Sequence, residues 1–147
     1  MRFEGNLTIN APHGVVWVFL TDPHQVAQCV PGVESVETLV PDQKFRATAA
    51  IGFGSVKVRF TGDVEFLELD MPKRAKLKAH GNAPGSAADV TSEMFLSDGP
   101  DGTTELKWTV DVVILGTLAS LAARLMSSVT QKLTAEFFNC FKKKIEA

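Results

Sequence analysis

The sequence predicts an α+β fold: a curved antiparallel sheet of six to seven strands wrapped around a long C-terminal helix, with two short helices after the first strand. Three observations carry this. Residues 116–147 have the periodicity of a one-faced helix and contain no proline. Between residues 33 and 114, consecutive segments alternate apolar and polar side chains, with short turn signals between them. Along those segments one face is apolar and the other charged, so the sheet is covered on one side only. A long sheet of this kind curls because strands twist, and a curled sheet and an apolar-striped rod satisfy each other's apolar surfaces.

The elements follow in order. Arg2 to Asn10 alternates, with Phe3, Gly5, Leu7 and Ile9 on one face, which reads as a half-buried strand. Ala11-Pro12-His13-Gly14 breaks it, and Pro12 suits the first turn of a helix. Val15, Val16, Phe19 and Leu20 then form an apolar helical face, with Trp17 beside it. Asp22 can cap a second helix with Pro23 at its first position. Pro31-Gly32 closes that helix.

Strands follow at Val33 to Val40 and at Lys44 to Phe53, the latter with Phe45, Ala47, Ala49, Ile51 and Phe53 inward. After Gly54-Ser55, the inward row is Val56, Val58, Phe60, Gly62, Val64 and Phe66. Beyond Met71-Pro72 it is Ala75, Leu77, Ala79 and Gly81, and then Ala88, Val90, Ser92, Met94 and Leu96. After the turn at Asp98–Gly102 come Leu106, Trp108, Val110, Val112 and Ile114. Short turns between consecutive strands mean an antiparallel meander.

In the last stretch, Leu118, Leu121, Ala122, Leu125, Met126, Val129, Leu133, Phe137, Cys140 and Phe141 recur at three- and four-residue steps. The rod is roughly 45 Å long. Burying about ten such side chains is worth on the order of 15–30 kcal/mol gross, before entropy. Lys142-Lys143-Lys144 ends it, where cations suit the helix dipole.

One domain, 1–147, is the default at this length. A net charge of −2 with mixed signs gives no basic face for a nucleic acid. No run of eighteen apolar residues is present, and the N-terminus shows no secretion signal. A cytoplasmic protein is expected. Cys29 and Cys140 show no local pairing pattern, so free thiols are expected.

Small residues crowd both partners of the expected contact: Gly5, Ala47, Ala49, Gly62, Ala75, Ala79, Gly81, Ala88 and Ser92 on the sheet, and Ala119, Ser120, Ala122, Ala123, Ser127 and Ser128 on the helix. They allow either close packing or a hollow. A bent sheet and a straight rod do not meet evenly, which favours a mostly apolar hollow of the kind that takes small molecules. The expected ligand-contact residues are Phe45, Ala49, Phe53, Phe60, Gly62, Leu77, Ala79, Val90, Met94, Trp108, Leu118, Ala122, Leu125, Met126 and Val129. On this reading Ala122→Trp or Gly62→Phe blocks the hollow and leaves the fold intact.

Catalytic chemistry is thin. His13, His24 and His80 have no partner at metal spacing. Gly52-Phe53-Gly54-Ser55 lies between strands, with no helix N-terminus to hold a phosphate. Asp89 and Glu93 face outward, and no Ser/His/Asp set can be placed.

Certain motifs resemble a known family. Leu20-Thr21-Asp22-Pro23, then Cys29-Val30-Pro31-Gly32-Val33-Glu34-Ser35, resemble the CoxG family of carbon monoxide dehydrogenase subunits. Gly52-Phe53-Gly54 leading to Phe60-Thr61-Gly62, Gly116-Thr117-Leu118, and Phe137-Phe138 before Cys140 extend the likeness. The order of elements is similar to the helix-grip fold of the START/Bet v 1-like (SRPBCC) superfamily. The resemblance implies a non-catalytic accessory to a molybdenum-type dehydrogenase, holding a quinone or other lipophile in its cavity as ligand, with no cofactor. It also implies peripheral contact with the inner face of the membrane. Two other readings stay open: an enzyme of the polyketide cyclase or hydratase kind, and a protein-binding adaptor with a filled core.

Overall fold

The computed structural model describes residues 1–146. Its order is β1 (Arg2–Ile9), α1 (His13–Leu20), α2 (Pro23–Cys29), β2 (Val33–Val40), β3 (Lys44–Phe53), β4 (Val56–Asp70), β5 (Arg74–Ala83), β6 (Ser86–Asp98), β7 (Thr104–Gly116) and α3 (Ala119–Ile145). The strands form one antiparallel sheet in the order β1-β7-β6-β5-β4-β3-β2. This is the predicted architecture, with seven strands.

Local chemistry explains the boundaries. The Asp22 carboxylate accepts the His24 backbone N–H at 3.0 Å, and Pro23 opens α2. α3 begins later than its periodicity suggests, because Gly116 to Leu118 make the turn that brings the chain off β7. Gly116 has φ +89°, and a Cβ there would lie 2.1 Å from the Gly85 carbonyl oxygen. The 27 residues of α3 therefore make a rod of about 40 Å. Its last turn carries the three lysines, and Lys144 Nζ donates to Gln28 Oε1 at 2.9 Å.

The core has two ends. At one end Ile9, Val16, Trp17, Phe19, Leu96, Leu106 and Phe141 are buried together. The Phe19 and Phe141 rings stack 4.9 Å apart. The α1 face differs from its predicted form: Trp17 is core, while Val15 is 45% exposed. The reason is that α1 packs by its Val16–Trp17–Phe19 side and not by the side bearing Val15. At the other end Phe53, Leu118 and Ala122 are buried together. Between the two ends Leu125, Met126, Val129 and Leu133 are only half-buried. Of the ten apolar positions assigned to the helix stripe, only Leu118, Ala122 and Phe141 are fully buried.

The two cysteines are not free. Cys29, at the end of α2, is joined to Cys140 on α3 across 111 residues, with Cα atoms 5.4 Å apart. The fold brings together two positions that no local spacing connects, and this corrects the expectation of two thiols. The bond ties α2 to the C-terminal half of α3. Removing a cross-link that closes so long a loop frees the unfolded chain, so reducing it, or making Cys29→Ser/Cys140→Ser, lowers unfolding free energy by about 2–4 kcal/mol. Urea melts with and without reductant check this; coincident midpoints would show that the bond does not hold the fold.

Candidate functional site

A row of small residues runs across four neighbouring strands. Ala47 on β3 pairs with Gly62 on β4, Gly62 with Gly81 on β5, and Gly81 with Ala88 on β6. These positions share the concave face because residues directly opposite one another lie on the same side of the sheet. Where that row faces α3 there is an apolar chamber of about 370 Å³, walled also by Ala49, Ile51, Phe53, Phe60, Ala79, Val90, Val112, Ile114, Met126 and Val129. A second chamber, of about 320 Å³, is walled by Leu20, Val26, Ser92, Met94, Leu106, Trp108, Val110, Thr134, Phe137 and Phe138. Val30 and Leu133 belong to both walls, so the two chambers adjoin across them.

The structure brings Ala49, Phe53, Phe60, Gly62, Ala79, Val90, Met126 and Val129 together around the first chamber, and puts Met94 and Trp108 in the second. Trp108 lies over Gly5, where a Cβ would come within 2.8 Å of the indole. Five expected positions are outside both walls. Phe45 is buried edge-on against Phe66. Leu118 and Ala122 are packed with Phe53, and Leu125 packs against them. Leu77 sits between Phe66 and Ser92 in its row. Helical periodicity identifies the apolar face of α3 but not which turn meets the packed end. Sequence reasoning also missed Val26, Val30, Leu133, Phe137 and Phe138 as wall residues; the pairing of α2 with α3 puts them there.

Both blocking variants need correction. A Cβ on Gly62 would lie 1.9 Å from the His80 carbonyl oxygen, so Gly62→Phe cannot leave the fold intact. Ala122 is fully buried in the packed end, where tryptophan has no room.

The walls carry little polarity. Ser92 Oγ donates to the Thr109 carbonyl at 3.1 Å. Asp63 and His80 flank the small-residue row, but their side chains are paired on the convex face. Arg46 Nε donates to Asp63 at 3.1 Å, and the His80 imidazole meets Asp89 at 2.5 Å. No cluster of metal-ligating side chains exists among the described residues, and none of the described helices is long and apolar enough to cross a membrane.

Comparison with protein families gives a match over residues 5–146 to CoxG, the family of a carbon monoxide dehydrogenase subunit. The chain belongs to the CoxG family. No curated protein matches it in sequence. Among solved structures, a conserved protein from Geobacillus kaustophilus is similar with a TM-score of 0.88 at 24% identity, over 98% of this chain and 94% of that one. The Zhui aromatase/cyclase from Streptomyces sp. R1128 is similar with a TM-score of 0.75 at 18% identity, over 98% and 92%. Ara h 8.0201 gives 0.64 at 16% identity, over 93% and 92%. Identities this low show the shared fold alone, which is that of the SRPBCC/Bet v 1-like superfamily.

The convex face of this CoxG-family domain is a lattice of paired charges. Arg59 donates to Glu34 at 2.6 and 3.1 Å, and Arg74 reaches Glu93 at 2.9 Å and also pairs with Glu68. The hydrogen bond from Arg59 holds the Glu34 carboxyl below its usual range. The Asp89 carboxylate, by hydrogen bond and charge, raises the His80 imidazole above its ordinary value of 6.5. A raised pKa favours the folded state below the unfolded histidine's pKa, and that contribution is lost as pH climbs through the folded value. Asp89→Asn therefore lowers the His80 pKa in an NMR titration, with Asn82 and Asp63 still acting on the ring, and reduces this part of the pH dependence. An unmoved His80 titration would show that Asp89 is not the cause.

Proposed function

We propose that this protein is a non-catalytic carrier of an apolar small molecule, a quinone or another isoprenoid or lipid, held in the two adjoining chambers. The observation that carries the reading is the small-residue row Ala47–Gly62–Gly81–Ala88 beneath half-buried α3, which leaves an apolar hollow. Chamber volumes of about 370 and 320 Å³ fall in the range of small-molecule sites, roughly 300–1,000 Å³. Ala49, Phe53, Phe60, Ala79, Val90, Met126 and Val129 contact the ligand in the first chamber, Met94 and Trp108 in the second. Membership of the CoxG family supports a role as accessory to a carbon monoxide dehydrogenase-type molybdenum enzyme, which the carrier serves at the inner face of the membrane.

The cyclase-like neighbour supports a second reading, in which the same hollow turns over a substrate. That needs an inward acid or base. The ionisable residues beside the chamber, Asp63 and His80, point outward and are engaged with Arg46 and Asp89, which favours the carrier. A filled-core adaptor does not fit two chambers of this size.

A short-chain quinone at a hundred times its Kd stabilises the protein by about 2.7 kcal/mol, and lipid extracted from the native protein contains a lipophile in stoichiometric amount by mass spectrometry. Ala79→Phe fills the first chamber, abolishes the quinone-induced stabilisation and leaves basal stability within about 1 kcal/mol. No copurified lipophile together with no quinone-induced shift in the parent protein would end the carrier reading.

A further inference from the structure

The second chamber is walled by the sheet, by α3 and by Leu20, Val26 and Val30. Val26 lies within α2 and Val30 caps its end, and Val30 also stands in the wall of the first chamber. α2 has seven residues, too few for a helix to hold by itself in water, so its neighbours must keep it in place. The chain is fixed on either side of it. Before it, α1 is packed into the core by Val16, Trp17 and Phe19; after it, the Gly32 carbonyl accepts the Ala50 N–H of β3 at 2.8 Å. Along α2 itself the polar side-chain ties come from exposed residues: His24 Nε2 meets Thr38 Oγ1 at 2.8 Å, and Gln28 Oε1 accepts from Lys144 Nζ at 2.9 Å. Val26 and Ala27 are half-buried. The one fully buried side chain of α2 is Cys29, and it is the one bonded to Cys140. Cys140 is half-buried, so a reductant reaches the bond from the α3 side.

We propose that the Cys29–Cys140 bond is a redox latch on α2 that controls exchange of the guest. Oxidised, it holds Val26 and Val30 against the chambers and retains the guest. Reduced, α2 lifts between its two fixed flanks and opens that wall. The proposal rests on the carrier reading and adds how the same site is regulated. The reductant is a dithiol. Its thiolate attacks Cys140 Sγ, forming a mixed disulfide and expelling the Cys29 thiolate; its second thiol then attacks its own sulfur in that mixed disulfide and releases the Cys140 thiolate. Two electrons and two protons pass to the protein, and the dithiol leaves as a disulfide. Segments with few buried contacts open at lower cost than the whole fold, and without the bond α2 has no fully buried anchor to another element.

The test uses Nile red, a neutral fluorescent lipophile, loaded under dithiothreitol before the bond is re-formed with diamide, and followed as it leaves on dilution into buffer. From the reduced protein, and from Cys29→Ser/Cys140→Ser, the dye leaves about tenfold faster than from the oxidised parent, because changes at a binding site act mainly on the off-rate. Ile9→Ala is the control. It keeps the bond, weakens the core outside both chamber walls, lowers global stability by a comparable amount and leaves the rate unchanged. Native-state hydrogen exchange reads the same motion with no ligand present: the amides of Val26 to Cys29 exchange faster in the reduced protein. Equal dissociation from oxidised and reduced protein, equal acceleration in Ile9→Ala, or α2 exchange indifferent to reduction overturns the latch and leaves the carrier reading standing. Absence of Nile red binding to the parent protein, oxidised and reduced, overturns both.

Discussion

The structure depends on missing volume in the middle of a bent sheet. Four neighbouring strands present Ala47, Gly62, Gly81 and Ala88 where larger apolar side chains would otherwise rise to meet α3. Side chains in a protein interior pack to the density of organic crystals, and a gap persists only where the surrounding elements cannot close on it. Here they cannot close. The sheet is continuous from β1 to β2, strands held by hydrogen bonds twist and curl together, and α3 is one uninterrupted helix of 27 residues. The hollow is a consequence of backbone shape, kept open by residues too small to fill it.

The ends of the helix keep that shape in place. Phe141 stacks on Phe19 at one end, with Trp17, Leu96 and Leu106 around them; Ala122 and Leu118 close on Phe53 at the other. Cys29–Cys140 adds a covalent tie between α2 and α3 close to the aromatic end. Val30, next in the chain to Cys29, stands in the wall of both chambers. Stability is thus concentrated away from the hollow, and the half-buried residues between the two ends are the part of the helix that a guest can touch with least disturbance to the core.

Much of this was legible in the sequence. Period-two alternation identified six strands and their inward faces, because a strand has only two faces to offer; β2 was read from its β-branched residues alone. Asp22-Pro23 marked the start of α2 because a cap and a proline at the first position satisfy a helix terminus. The small inward residues identified the region of the hollow. Two things were not legible, each for a physical reason. The Cys29–Cys140 pair spans 111 residues, and only the docking of α2 on α3 makes the two sulfurs neighbours. The closeness of Gly62 to the His80 carbonyl is a property of how two strands approach, not of either strand's pattern.

Pressurising crystals of the protein with xenon tests the central claim most directly, since an apolar cavity stays dry and takes up such an atom. Xenon, or a copurified guest in its place, is expected against Ala47, Gly62, Gly81 and Ala88, with a second site beside Met94 and Trp108. A crystal structure in which side chains of α3 fill the space above that row, with no xenon and no guest bound there, would contradict it.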